Sequence, residues 1–98
     1  MKVVWTSEAF SKLDEIESFI AQDSQKRASV FIDSLLEKGD LIGSFPDIGR
    51  VVPELSRSEI REILVGNYRI VYRQTPEHIE ILTVFEGHRL LRFEELPP

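Results

Sequence analysis

The basic side chains in the second half of this sequence are all arginines. The chain has no lysine after Lys38. The arginines beyond that point are Arg50, Arg57, Arg61, Arg69, Arg73, Arg89 and Arg92. A guanidinium group binds a carboxylate or a phosphate through two parallel hydrogen bonds, and it keeps its proton at neutral pH. These residues therefore predict recognition of an anionic group, and they cannot serve as general bases.

Other side chains with distinctive chemistry are scarce. The 98 residues include no cysteine and only two histidines, His78 and His88. The absence of cysteine excludes a disulfide framework, a thiolate metal site and a cysteine nucleophile. The formal net charge of −5 disfavours general binding to nucleic acid, because such binding depends on neutralising phosphates. We expect no metal and no cofactor.

Three segments in the second half predict β-strands that would position several of the arginines. These segments, rich in Ile, Val and Tyr, are Glu59 to Val65, Tyr68 to Gln74 and His78 to Phe85. Gly66-Asn67 fits a two-residue hairpin turn between the first two segments. The turn pairs Val65 with Tyr68, Ile63 with Ile70 and Arg61 with Tyr72. Because the face with these residues is largely apolar, it is predicted to receive helices.

The opposite face of this hairpin is predicted to be polar and open to solvent. It carries Glu62, Leu64, Arg69, Val71 and Arg73. Two interpretations of its charged residues remain open. They form a binding site for an anionic group, or they form an internal salt-bridge cluster that keeps the face soluble.

The first half of the chain predicts one strand and a helical hairpin. The elements are a strand from Lys2 to Trp5, a helix capped by Thr6-Ser7 and ending near Gln22, and a helix capped by Asp23-Ser24 and ending near Leu41. Gly39 lies in phase with the apolar stripe of the second helix, where it allows close packing. The chain is therefore predicted to be one α+β domain, residues 1–98, with the hairpin on one face of a mainly antiparallel four-stranded sheet.

Two segments lack a regular period. The first, Phe45 to about Ser58, is predicted to be a loop anchored by Phe45 and Ile48. The second, Glu86 to Pro98, mixes charges with four apolar residues. These are Leu90, Leu91, Phe93 and Leu96. We expect the four to pack back on the domain or to form a target or partner surface.

Some apolar side chains of the helices fall outside the predicted buried stripe. Phe19 lies at its edge, and Val30 and Leu41 lie well away from it. They are isolated exposed residues, or they line a groove for a partner. The apolar run at the start of the chain is too short for a signal peptide or a membrane span, so we expect a cytoplasmic chain with no membrane contact.

The order of these motifs resembles the RelE/ParE superfamily of bacterial type II toxins. The motifs are Phe45-Pro46-x-x-Gly49-Arg50, Val52-Pro53-Glu54-Leu55, Arg61-Glu62-Ile63, Gly66-Asn67-Tyr68-Arg69-Ile70-Val71-Tyr72-Arg73 and Gly87-His88-Arg89-Leu90-Leu91. The resemblance implies a fold with element order β-α-α-β-β-β. It also implies a co-expressed antitoxin that binds and silences the chain as a hetero-oligomer, and growth arrest when that antitoxin is lost.

The superfamily has two branches, and they imply different sites. RelE-like members cut messenger RNA on the ribosome. Their acid–base and phosphate-binding residues resemble Glu54, Arg61, Arg69, His88 and Arg89 here, with Glu54 as the base and His88 as the acid. ParE-like members poison DNA gyrase by binding it and have no catalytic set. The chain resembles this branch more closely, through the Gly-Asn hairpin, the Val-Pro-Glu-Leu segment and Arg89-Leu90-Leu91.

The ParE-like resemblance implies an inhibitor protein that acts through a binding surface. The residues expected to bind the target or the antitoxin are Glu62, Arg69, Arg73, Arg89, Leu90, Leu91 and Phe93. Ribosome-dependent RNA cleavage, and a member that only binds its antitoxin, remain the alternatives.

Overall fold

The computed structural model describes residues 1–98 and places two helices on one face of a five-stranded sheet. In chain order the elements are β1 (Lys2–Trp5), α1 (Ser7–Ala21), α2 (Gln25–Ser44), β2 (Arg50–Val51), β3 (Ile60–Val65), β4 (Tyr68–Gln74), β5 (His78–Glu86) and a short 3₁₀ turn (Phe93–Glu95). The spatial order of the strands is β1-β5-β4-β3-β2. Only β1 and β5 are parallel neighbours. The predicted α+β class is confirmed.

The expected strand count was wrong by one. Arg50 and Val51, which the sequence placed in a loop, form β2 opposite Glu62 and Arg61 of β3. Two residues carry no detectable period, so this edge strand has no signature in the sequence. The strand brings the Arg50 side chain beside Glu62.

Both helices begin at the predicted caps. The Thr6 hydroxyl accepts a hydrogen bond from the Ala9 amide at 3.2 Å, and the Ser24 hydroxyl accepts one from the Arg27 amide at 3.1 Å. These bonds satisfy amides that have no partner within the first turn of a helix. Helix α2 ends three residues later than predicted, at Ser44, and the extra turn buries Ile42.

The hairpin register and the apolar face are confirmed. Val65 pairs with Tyr68, Ile63 with Ile70 and Arg61 with Tyr72. The helices cover this face, here called the helical face, where Ile70 and Tyr72 join a core with Leu13, Ile16 and Leu35. The predicted close approach at Gly39 is also present, because a β-carbon there would lie 2.6 Å from the Trp5 ring.

The opposite face of the sheet, here called the second face, is covered rather than open. A second core includes Ile60, Val71, Leu82 and Phe85 from the strands, together with Val52, Leu91 and Leu96 from outside them. The covering segments are the loop after β2 and residues 87–98, here called the arm. The expectation of an open polar face was therefore wrong, because the two aperiodic segments fold over it.

The anchors of the loop between α2 and β3 also differ from the prediction. Phe45 and Ile48 are exposed, and the buried anchor is Val52. The hydroxyl of Tyr72 adds a polar anchor, since it donates to the Pro46 carbonyl at 2.7 Å and accepts from the Gly49 amide at 3.0 Å. None of the helices combines the length and apolar character that crossing a membrane requires.

Candidate functional site

A single guanidinium joins three segments of the chain beneath the arm. Arg69 of β4 is only 3% exposed. Its Nη1 donates to Glu62 Oε1 of β3 at 2.7 Å, and its Nη2 donates to Glu54 Oε2 of the loop at 2.5 Å. The same Nη2 also donates to the backbone carbonyl of Arg89 in the arm. Strand, loop and arm therefore meet at one buried positive charge.

The Glu54 carboxylate makes the second connection to the arm. Its Oε2 accepts a hydrogen bond from the Leu91 amide at 2.9 Å, in addition to the bond from Arg69. The hydrogen bond from Arg69 holds the pKa of Glu54 down at about 2, aided by the Leu91 amide and opposed by burial. A carboxylate with such a pKa is a weak base at neutral pH.

This ion pair gives a prediction for the pH dependence of stability. Because the folded pKa of Glu54 lies below its usual 4.5, its contribution is full above about pH 4.5 and is lost as the pH falls towards 2. We expect Glu54→Gln to lose stability on the order of 2 kcal/mol at pH 7. The difference between the two proteins should shrink as the pH falls through that window. Urea titrations between pH 7 and pH 3 measure it, and a difference that stays constant would contradict the assignment.

The charged residues of the second face form an internal cluster. Glu62 is 1% exposed and also accepts from Arg50 Nε at 2.7 Å, so two carboxylates face two guanidiniums. The salt bridges of the second interpretation are present at Glu62 and Arg69, but the face that carries them is covered and not open, so Glu62 and Arg69 present no open anion site. Arg73 does not join the cluster, because it pairs with Glu80 across the neighbouring strand at 3.2 Å.

Only three of the five residues that resemble a ribonuclease set come together, Glu54, Arg69 and Arg89. Arg61 lies on the helical face, where its Nη1 donates to the Gly49 carbonyl at 2.7 Å. Glu54 and Arg69 are bonded to each other under the arm, and His88 is exposed in the turn after β5. Arg89 is half exposed, with its guanidinium 4.7 Å from the centre of the Phe85 ring. No group of three or more potential metal ligands is present.

The arm presents some of its apolar residues to solvent and buries the others. Leu91 is 2% exposed and Leu96 is also buried, whereas Leu90 is 77% exposed and Phe93 is 43% exposed. The Arg57 guanidinium lies 4.3 Å from the centre of the Phe93 ring. The expected packing back on the domain is confirmed for Leu91 and Leu96, while Leu90 and Phe93 are exposed, and the expectation of a target or partner surface stays a prediction for them.

A groove of about 820 Å³ lies between the tip of the helical hairpin and the β3–β4 turn. Its apolar lining is Phe19, Ile20, Phe31, Leu64 and Tyr68. A concavity of about 480 Å³ continues it along α2, lined by Val30 with Lys26 and Arg27. Phe19 and Val30 were predicted to face outward, and they do, but Leu41 is half-buried. Sequence reasoning missed Leu64 and Tyr68 as lining, since they come from a distant hairpin.

Comparison with known proteins identifies the family. The model of the family described as ParE toxin of type II toxin-antitoxin system, parDE, matches residues 3–91. The chain belongs to the ParE toxin family. It is 31% identical over 90 residues to "Putative toxin Y4kP" of Sinorhizobium fredii, and the alignment covers 90% of each chain. The matched range contains Glu54, Glu62 and Arg69 and ends at Leu91, within the arm.

A solved structure shares the fold of this ParE-family chain. It is described as the chromosomal ParDE TA system from P. aeruginosa. The TM-score is 0.74 at 18% sequence identity, with 88% of this chain and 95% of the other covered. At this identity the likeness shows that the fold is shared.

Proposed function

We propose that this ParE-family chain arrests growth by binding and poisoning DNA gyrase in the cytoplasm, and that a cognate antitoxin neutralises it within a hetero-oligomer. The family match supports a toxin of this kind. The target, the antitoxin and the surfaces that bind them are the proposed part.

The state of Glu54 supports a binding protein over a ribonuclease. A general base must be free to accept a proton from the substrate at neutral pH. Glu54 instead uses one oxygen to accept from both Arg69 and the Leu91 amide, and its pKa is about 2. Its carboxylate is thus engaged in holding the arm, and this observation carries the proposal.

The exposed side of the arm is the proposed target surface. Leu90, Phe93 and Arg89 project from a segment whose other apolar residues are buried. A backbone that is already fixed favours binding, because the segment does not have to be ordered when the target is bound.

The groove is the proposed antitoxin site. An amphipathic segment could place apolar residues against Phe19 and Val30 and acidic residues against Lys26 and Arg27. Salt should weaken this binding, since the charged contacts lie at an exposed rim.

A double variant separates gyrase poisoning from RNA cleavage. Glu54→Gln combined with His88→Gln removes both proton-transfer groups, yet an amide oxygen at position 54 can still accept from Arg69 and Leu91. We expect growth arrest, and the accumulation of gyrase-cleaved DNA with purified gyrase, to stay within about threefold of the parent because no proton transfer is required.

The parallel measurement is cleavage of messenger RNA in a ribosome-dependent assay. Loss of growth arrest by a folded double variant, together with RNA cleavage by the parent, would overturn the gyrase proposal and favour the ribonuclease branch. Circular dichroism and melting of the variant establish that it is folded.

A further inference from the structure

Leu90 is held outward by hydrogen bonds on both sides. The peptide group before it contributes the Arg89 carbonyl, which accepts from Arg69. The peptide group after it contributes the Leu91 amide, which donates to Glu54. The two peptide units that flank Leu90 are therefore tied to the two members of one ion pair.

No other bonds of this kind lie near Leu90, because the remaining side chain that donates to backbone carbonyls of the arm, Arg73, reaches Pro98 and Pro97 at its end, at 3.3 and 3.5 Å. The arm forms no strand. Its other backbone bonds near Leu90 are one from Gly87 to the Asn67 carbonyl at 2.8 Å, just beyond the β4–β5 pairing, and one turn bond from Arg89 to the Glu86 carbonyl at 3.2 Å. Apolar burial of Leu91 alone would fix a side chain but not the peptide orientation on either side of Leu90. The directional bonds to Arg69 and Glu54 provide that orientation.

Holding a segment in place with a buried ion pair costs free energy. Removing two charges from water costs several kcal/mol per ion, and apolar residues of similar volume often stabilise a fold equally well. The second face already contains an apolar core of Ile60, Val71 and Leu82 that could have been extended. Unlike an apolar contact, the ion pair fixes the orientation of the backbone at Leu90. In that orientation the Leu90 side chain is exposed.

We propose that Glu54 and Arg69 are positioning residues, which fix the backbone on both sides of Leu90 so that its side chain is presented to an apolar pocket of the protein target. The inference rests on the proposed function, because it assigns the arm to target binding. It gives Arg69 and Glu54 a role without contact to the target, and this accounts for their burial.

Two substitutions at one position test the role. Glu54→Ala removes the oxygen that accepts from Arg69 and Leu91, whereas Glu54→Gln retains an acceptor in its place. We expect the Leu91 amide of the alanine variant to exchange with deuterium about tenfold faster or more, relative to amides of β4, and growth arrest to be lost. In the glutamine variant the growth arrest should stay near that of the parent, and Leu91 exchange should rise clearly less than in the alanine variant.

The glutamine variant distinguishes positioning from proton transfer. A general base would lose activity in both variants. Loss of growth arrest in both, with Leu91 exchange clearly slower in the glutamine variant than in the alanine variant, therefore overturns the inference. Retained growth arrest in Glu54→Ala, or unchanged Leu91 exchange in that variant, also overturns it. If the alanine variant does not fold, Glu54→Asp replaces it, since the shorter side chain withdraws the oxygen and keeps the charge.

The exchange measurement separates this inference from the proposed function. A parent chain that neither arrests growth nor affects gyrase would refute the proposed function, whereas Leu91 exchange would still report whether Glu54 holds the arm. Antitoxin affinity is the second control, because the groove lining does not include Glu54. It should stay within about threefold in both variants.

Discussion

Replacing Arg69 with methionine is expected to lower the free energy of unfolding by about 3–5 kcal/mol. Methionine fills much of the same volume but leaves Glu62 and Glu54 without their shared partner. Arg50 stays beside Glu62, but its side chain is 61% exposed and its charge is screened by water. A nearly inaccessible carboxylate at Glu62 would then lack most of its compensation. Urea unfolding at pH 7 measures the loss.

Arg73→Met is the matched control for this prediction. Arg73 lies four residues further along the same strand and on the same side. Its pair with Glu80 is partly exposed, and its bonds to the Pro98 and Pro97 carbonyls are long, at 3.3 and 3.5 Å. We expect that substitution to cost no more than about 1 kcal/mol. Equal losses at the two positions would contradict the assignment, because they would indicate that the position in the strand, and not the buried ion pair, sets the cost.

Local signals in the sequence were sufficient for the elements on the helical face. A Gly-Asn turn fixes the register of a hairpin, and a serine or threonine hydroxyl fixes the first turn of a helix. The pairs around Gly66-Asn67, the caps at Thr6 and Ser24 and the packing of Gly39 all depend on residues close in sequence or in period. These features were predicted correctly for that reason.

Local signals could not predict the segments that cover the second face. Val52, Leu91 and Leu96 come from segments without a period, and their partners lie in strands far along the chain. One signal did exist in β5, where apolar residues are nearly continuous, including Ile81, Leu82 and Val84. A strand of that kind is typical of a sheet buried on both faces, and it argues against an open face.

The residues of the candidate site were predicted from the sequence, but their arrangement in space was not. Arg69, Glu62 and Glu54 were all singled out, but Glu54 lies 15 residues from Arg69 in a loop whose path the sequence does not determine. The carboxylates and the guanidinium therefore satisfy one another within the fold. The guanidinium could bind an external anion only if the second face were open to solvent, and the arm covers that face.

Replacing Leu90 with serine is expected to abolish growth arrest and to leave antitoxin affinity unchanged, while Phe19→Ser should do the reverse. Both side chains are exposed, so neither change should disturb the core. Phe19 lines the groove, whereas Leu90 does not, although the groove and the arm adjoin at Gly87 and His88. Both residues are expected to be among the few dominant contacts of their interface, and loss of such a contact costs about 2 kcal/mol or more, which weakens binding roughly 30-fold. Growth assays with and without antitoxin, and titration of purified chains, measure both effects.

Phe10→Ser is the matched control for the groove, because Phe10 is also an exposed phenylalanine of α1 but does not line it. It should change neither growth arrest nor antitoxin affinity.

Point substitutions are preferable to a chain that ends at Arg92, since that truncation also removes the buried Leu96 and would lower stability. Growth arrest that survives Leu90→Ser would place the target surface away from the arm. Simultaneous loss of both activities in each variant, with melting unchanged, would mean that arm and groove act as one surface, and neutralisation would then be direct competition for it.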